Sequence, residues 1–173
     1  MGHLLIFSRN RSTVVERISP ECMKSSCVLR DTFVDALVEV TVELPDLEIT
    51  QVSHQVRRWK HPVGPEAEEM LQHAIGVRIG PGMLKIIQGL GGNQQRFREL
   101  FFMLEECCQA IILSFTKDVL VQSPRPTDAD ASRAFYNEMV RENIRLYNRC
   151  AAFAPGSPLV EGIDIAGNGA ENS

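Results

Sequence analysis

Aromatic side chains are scarce in this chain of 173 residues: phenylalanine, tyrosine and tryptophan make up 6% of it, with a single tryptophan. Basic residues are not clustered either, because the 18 lysines and arginines are interleaved with 22 acidic residues, for a net charge of −4. Proteins that bind nucleic acids usually carry a basic patch or stripe, and aromatic side chains often accompany it. The sequence therefore predicts a protein that does not bind nucleic acid.

Long hydrophobic runs are also missing. The most apolar stretch covers residues 94–122, but Glu105 and Glu106 interrupt it, and a membrane-spanning helix needs about 20 predominantly apolar residues. The residues up to Phe7 are too few for the apolar core of a secretory signal, and Arg9 follows soon after them. We expect a cytoplasmic protein that does not interact with a membrane.

The cysteines do not form a recognisable metal site. Cys22 and Cys27 are separated by four residues, whereas structural zinc sites favour closer pairs and a second pair elsewhere. Cys107 and Cys108 are neighbours on a predicted helix, so their side chains diverge by roughly 100°. With Cys150 the number of cysteines is odd, and we expect free thiols, no metal and no cofactor.

The hydrophobic pattern of the first 60 residues is typical of strands. Even-numbered residues from 34 to 44 are apolar and most odd-numbered ones are polar, which predicts a half-buried antiparallel strand. Pro45 begins a turn, and residues 49–59 alternate again, so the two segments are predicted to form a hairpin. Residues 3–7 and 11–18 could also be extended, whereas residues 19–26 are predicted to form a loop because they contain Pro20 and small polar residues.

The later part of the chain has helical periodicity. Residues 94–122 contain no glycine or proline, and their apolar positions predict a long central helix that is buried on more than one side. The main apolar stripe consists of Phe97, Leu100, Phe101, Leu104, Cys108, Ile111, Ile112, Phe115 and Val119. A second set widens it and consists of Phe102, Met103, Cys107, Ala110 and Leu113. Shorter helices are predicted after Pro65, over residues 83–90 and from about 127 to 150.

Strands that precede helices indicate an α+β fold. We expect a small antiparallel sheet, formed by an N-terminal meander or hairpin and covered on one face by about four helices. Residues 1–154 are predicted to form a single α+β domain and residues 155–173 a flexible C-terminal tail, in which residues 159–165 could add a short edge strand. The hairpin face that carries Leu37 and Trp59 could be a homodimer surface.

The start of the long helix is the best candidate for a binding site. The glycines of residues 89–92 match neither phosphate-binding loop motif, but free amide groups at a helix start, with Arg96 and Arg98 beside them, could hold a small anion or carboxylate. By alternation His54 points to the apolar side of the sheet, where a histidine is either a hydrogen-bonded core residue or an acid–base catalyst. The predicted ligand-binding residues are Asp31, His54, Arg58, His61, Gln94 and Arg96.

Several segments resemble an uncharacterised bacterial family known as domain of unknown function 2889. They are residues 29–32 (Leu-Arg-Asp-Thr), the hairpin, residues 80–89, residues 93–100, and residues 148–153 with residues 156–158. The family has no assigned activity, and it carries a cysteine and a histidine where this chain has Gln94 and Arg96. The order of strands and helices is also similar to that of iron–sulfur scaffold proteins, whose cysteines would fall at Pro62-Val63 and Gln94. The resemblance therefore implies a relative that lacks the thiolates needed to hold a cluster.

Two functions of different kinds are consistent with these observations. The first is a non-catalytic binding or accessory module for a small acidic ligand or a protein partner, because the sequence has no recognisable nucleophile, metal set or cofactor loop. The second is an enzyme of unassigned type that uses His54 or His61 with Asp31 as an acid–base pair. A degenerate iron–sulfur scaffold-like protein without cluster ligands is a distant third. A carboxylate beside a His54 that is open to a pocket would favour the enzyme.

Overall fold

The computed structural model describes residues 5–91, 95–122 and 128–163 of the chain. These residues form a four-stranded antiparallel sheet and four α-helices, which confirms the predicted α+β class. The chain makes two compact units, residues 1–111 and 112–173, and the single domain predicted to end at residue 154 stays a prediction. None of the helices in the described ranges is long and apolar enough to cross a membrane.

The sheet is a meander in which each strand pairs antiparallel with the next. Its strands are β1 (Arg9–Arg17), β2 (Cys22–Asp31), β3 (Asp35–Glu43) and β4 (Glu48–Arg58), in that spatial order. The predicted hairpin is confirmed as β3 and β4, in which Val38 lies opposite His54. The loop predicted for residues 19–26 is confirmed for residues 19–21 and wrong for the rest, because β2 already begins at Cys22. The small polar residues of this strand, such as the fully buried Ser25, conceal its alternation of buried and partly exposed side chains.

The core of the first unit lies between the sheet and the helices that follow it. Helix α1 (Pro65–Gln72) packs along β4, and α2 (Met83–Gly91) contacts α1. The long helix α3 (Arg98–Gln122) is connected to the middle of the sheet, since Cys107 Sγ donates to the Val38 carbonyl oxygen at 3.6 Å. A Cβ atom at Gly91 would come within 3.1 Å of the Phe101 ring, so glycine at the end of α2 allows it to lie close to α3.

The predicted long helix is confirmed, but its apolar stripe is buried on only part of its circumference. Leu100, Met103, Leu104 and Cys107 are fully buried. Phe102 and Leu113, from the second apolar set, are 38% and 54% exposed, and Val121 near the end of the helix is 76% exposed. An apolar side chain is buried only where another element covers that face of the helix, and periodicity alone does not show which faces are covered.

The two edges of the sheet differ. The start of β4 is covered by residues 76–79, because Gly76 N donates to the Ile49 carbonyl oxygen, Ile49 N to Val77 and Ile79 N to Leu47, at 2.8–3.0 Å. Gly76 has φ +84°, a conformation that favours glycine and allows this chain reversal. The outer edge of β1 has no such cover among the described residues, and the side chains of this strand are mostly exposed.

The second unit contains α4 (Ala129–Glu142), which begins at the N-cap Asp128. Helix α4 ends eight residues before the predicted end at Cys150 and is followed by short 3-10 turns. The edge strand predicted for residues 159–165 is wrong for its described part, because residues 158–160 form a 3-10 turn with Val160 buried. Asn137 donates to the carbonyl oxygens of Leu159 and Glu161 at 3.3 and 3.0 Å and holds this segment against α4.

Candidate functional site

Asp31, at the end of β2, is fixed in the structure by its hydrogen bonds. Its buried side chain accepts from Phe33 N and Val34 N, both at 2.7 Å, and forms an ion pair with Arg9 at 2.6 Å. Burial alone would raise the pKa of Asp31, but the hydrogen bonds from Phe33, Arg9 and Val34 outweigh it and hold this pKa below its usual range. Arg58 donates to the Asp31 carbonyl oxygen at 2.8 Å. Asp31 and Arg58 therefore stabilise this corner of the sheet, and the carboxylate bonds to an arginine rather than to a histidine.

The end of β4 and the start of α3 enclose a cleft of about 440 Å³, which we call the helix-start cleft. Trp59 connects its two walls, since the indole Nε1 donates to the Arg96 carbonyl oxygen at 3.1 Å. The cleft is lined by Val34, Trp59, Lys60, His61, Gln95, Arg96, Arg98 and Glu99. A second cleft of about 440 Å³ adjoins it and shares Arg98 and Glu99 with it. The lining of this adjoining cleft is completed by Arg9, Arg11, Leu29 and Phe102.

The two clefts carry more positive than negative charge. Their combined lining contains the cations Arg9, Arg11, Lys60, Arg96 and Arg98 and a single carboxylate, Glu99. Three of these cations have carboxylate partners, because Arg9 pairs with Asp31, Arg11 with Glu106 at 3.7 Å and Arg96 with Glu66 at 2.8 Å.

Two of the cations are free to bind an anion. In the part of the chain that the structure describes, neither Lys60 nor Arg98 has a carboxylate within 4.0 Å. Both side chains are exposed at the helix-start cleft.

His54 lies on the helix-covered side of β4, as its alternation predicts. Its side chain is 13% exposed, and Nδ1 is 2.9 Å from Oε2 of Glu68 on α1, although the two groups are not aligned for a hydrogen bond. Gln72 holds this carboxylate in place, since its Nε2 donates to the other oxygen of Glu68 at 3.0 Å and to the Val52 carbonyl at 2.8 Å. His54 and His61 both line a third cleft, of about 500 Å³, which we call the histidine cleft.

The structure brings most of the predicted site residues to one end of the sheet. His61 and Arg96 line the helix-start cleft, Asp31 and Arg58 support the neighbouring corner, and His54 opens on the histidine cleft. The predicted Gln94 lies outside the described residues. Three residues at or beside these clefts are absent from the predicted ligand-binding set: Trp59, Lys60 and Glu68.

The sequence does not predict the contacts of Trp59 and Glu68, for two different reasons. Trp59 donates to the carbonyl oxygen of Arg96, just before α3, rather than lying beside Leu37 as the predicted dimer surface requires. Register shifts in the pairing of β3 with β4 interrupt the alternation on which that prediction depends. Glu68 is on a different element from His54, and only the packing of α1 on β4 brings them together.

The buried cysteines are core residues. Cys27, Cys107 and Cys108 have no exposed surface, and the five cysteines are all free thiols. Burial raises the pKa of Cys27, and it raises that of Cys107 to about 12. The thiolate is the reactive form of cysteine, so neither residue is a nucleophile near neutral pH. Within the described ranges, no three side chains of His, Cys, Asp or Glu converge as metal ligands, and the predicted lack of a metal stays a prediction.

Comparison with known proteins leaves the site to be interpreted from its own geometry. No protein-family model, no curated protein and no solved structure matches this chain. The resemblance to domain of unknown function 2889 therefore stays a prediction.

Proposed function

We propose that this protein is a binding module, without chemistry of its own, that holds a small acidic ligand in the helix-start cleft. The observation that carries this proposal is the pair of cations Lys60 and Arg98, which face the cleft and have no carboxylate partner in the described chain. They stand out in a chain whose net charge is −4. A volume of about 440 Å³ is within the range of pockets that hold small molecules.

The chemistry of the two cations favours a carboxylate or a phosphate. The guanidinium of Arg98 can bind two oxygens of such a group at once, while the ammonium of Lys60 acts as a point charge. The positive end of the helix dipole lies at the start of α3 and also favours an anion. A hydrogen bond to a charged group contributes about 1.5–3 kcal/mol, so each cation is worth roughly tenfold or more in affinity.

Trp59 provides a direct test because it is the only tryptophan and it lines the cleft. Small di- and tricarboxylates and acyl thioesters are titrated into the protein while the emission of Trp59 is followed. We expect a saturable change, with an affinity about tenfold weaker in Lys60→Gln and in Arg98→Gln.

Two matched variants control for the loss of surface charge. Lys85→Gln on α2 and Arg133→Gln on α4 remove exposed cations that line neither cleft. Both should bind as the wild type does. An unchanged emission with every compound, or one affinity shared by all the variants, would exclude the proposal.

A second candidate function is an enzyme that transfers protons through His54. It is supported by the 2.9 Å distance between His54 and Glu68, by the hydrogen bond from Gln72 to this carboxylate and by the cleft onto which His54 opens. The carboxylate lies beside one ring nitrogen and leaves the other nitrogen for a substrate. Asp31, the acid predicted to work with a histidine, is bound instead to Arg9 and to the backbone.

Hydrolysis of acyl thioesters tests this second candidate. His54 would take a proton from the attacking water and return it to the departing thiolate, so that a carboxylic acid and a thiol are formed. Turnover by the wild type should fall at least 100-fold in His54→Gln, since general base catalysis contributes about 10²–10⁴. It should also fall in Glu68→Gln but not in the control His73→Gln, which alters an exposed histidine after α1. Turnover that survives His54→Gln unchanged would rule this candidate out.

A further inference from the structure

β1 is an open strand edge with a regular backbone. It pairs with β2 over all nine of its residues without a register shift, and it contains no proline. Only Thr13 and Val15 are partly covered, and the other seven side chains are exposed. The described residues outside β2 form no ladder with it, whereas at the opposite edge residues 76–79 cover the start of β4. Unpaired N–H and C=O groups along such an edge can accept another strand.

The arginines of β1 all lie on one side. Arg9, Arg11 and Arg17 lie opposite Asp31, Leu29 and Met23 of β2, and these three residues are buried. Opposite residues of an antiparallel pair share a face, so the three arginines are on the helix-covered side of the sheet. If another strand paired with β1, every second side chain of that strand would lie next to these three arginines.

Two of the registers in which a second copy of this chain could pair with the edge bring arginines together. In a dimer formed by two-fold antiparallel pairing of β1 with itself, the odd-numbered residues of both copies lie on the same face of the sheet. Odd-numbered residues of one copy therefore lie opposite odd-numbered residues of the other. When the two-fold axis passes through Thr13, Arg9 lies opposite Arg17 of the second copy. When the axis passes through Val14, Arg11 lies opposite Arg17 of the second copy. Each arrangement occurs twice in a dimer, and like charges directly opposite each other are destabilising.

We infer that β1 docks an extended acidic segment of a partner protein, which adds a fifth strand to the sheet. Carboxylates opposite Arg11 and Arg17 would complement the charges, and an apolar side chain opposite Val14, which is 54% exposed, would cover it. Backbone hydrogen bonds supply the affinity in this mode of binding, and the alternate side chains supply the specificity. This interaction is separate from the binding of a small acid in the helix-start cleft.

A fluorescein-labelled peptide of seven residues serves as the probe. Its first and last residues are glutamate, and valine and threonine lie between them, so that antiparallel pairing sets the glutamates opposite Arg17 and Arg11. Fluorescence anisotropy should show binding of this peptide to the wild type, and at least tenfold weaker binding when lysine replaces both glutamates. The double variant Arg11→Glu, Arg17→Glu should reverse the preference, whereas Lys60→Gln and the control Arg133→Glu should leave it unchanged.

Backbone methylation distinguishes strand pairing from simple charge attraction. Two versions of the glutamate peptide carry N-methyl groups on alternate amides, one version on the odd positions and the other on the even ones. Only one set of amides faces β1 in a strand, so one version should lose binding and the other should retain it. Equal binding by both versions would overturn the inference. So would a wild-type dimer, seen by light scattering, that the peptide does not dissociate.

Discussion

Replacement of Asp31 should cost more stability than replacement of any surface carboxylate. Asp31→Ala removes the acceptor for two backbone N–H groups and the partner of Arg9. Hydrogen bonds to a charged group contribute about 1.5–3 kcal/mol each, and loss of one partner from a buried pair costs about 3–5 kcal/mol. The Arg9 side chain is 44% exposed and can be solvated again, so we expect a loss of about 3 kcal/mol.

The Asp31→Asn variant tests the contribution of the charge. The amide oxygen can still accept the two backbone hydrogen bonds, so the expected loss is smaller, about 1–2 kcal/mol at pH 7. The pKa of Asp31 is lowered in the folded protein, so its carboxylate contributes stability above the unfolded pKa of about 3.9. That contribution is lost as the pH falls through the folded pKa. The difference in the free energy of unfolding between the wild type and Asp31→Asn should therefore be constant above about pH 5 and should become smaller below about pH 4.

Urea unfolding followed by circular dichroism at several pH values measures these differences. Asp35→Asn is the matched control, since Asp35 follows closely in sequence and pairs at 3.6 Å with an Arg30 side chain that is 60% exposed. Exposed ion pairs are worth about 0–1 kcal/mol, so this control should remain close to the wild type. An Asp31→Ala protein within about 0.5 kcal/mol of the wild type, or an Asp31→Asn difference that does not depend on pH, would refute the structural role given to Asp31.

Three further predictions concern the thiols, a glycine and metal content. A thiol reagent at pH 8 should modify the exposed Cys150 first and should reach the buried Cys27 and Cys107 only after unfolding; fast modification of either would contradict their burial and raised pKa. Gly76→Ala should lower the free energy of unfolding by about 1 kcal/mol or more because of the positive φ at this position, and a neutral effect in urea unfolding would argue against that conformation. Elemental analysis of the purified protein should find no stoichiometric iron or zinc, and either metal would contradict the prediction that the chain holds none.

Much of the secondary structure follows from local patterns. Alternation over residues 34–44 predicts β3, and helical spacing over residues 94–122 predicts α3, because side-chain direction repeats with period 2 in a strand and 3.6 in a helix. The same rule places His54 on the helix-covered side of β4. It fails for β2, where small polar residues such as Ser25 are buried and the pattern of hydrophobic residues is weak.

The composition of the candidate sites depends on contacts between distant parts of the chain. Arg96 and His61 can be chosen from the sequence, because a helix start and a strand end are recognisable locally. The hydrogen bond from Trp59 to Arg96 spans 37 positions of the sequence, and the contact between His54 and Glu68 spans 14 positions. Both contacts depend on how the helices cross the sheet. Only the tertiary structure decides these pairs, as it decides that Phe102 is exposed although it belongs to an apolar stripe. Local periodicity determines the direction of a side chain, whereas its partner is determined by the packing of elements that the chain brings together from a distance.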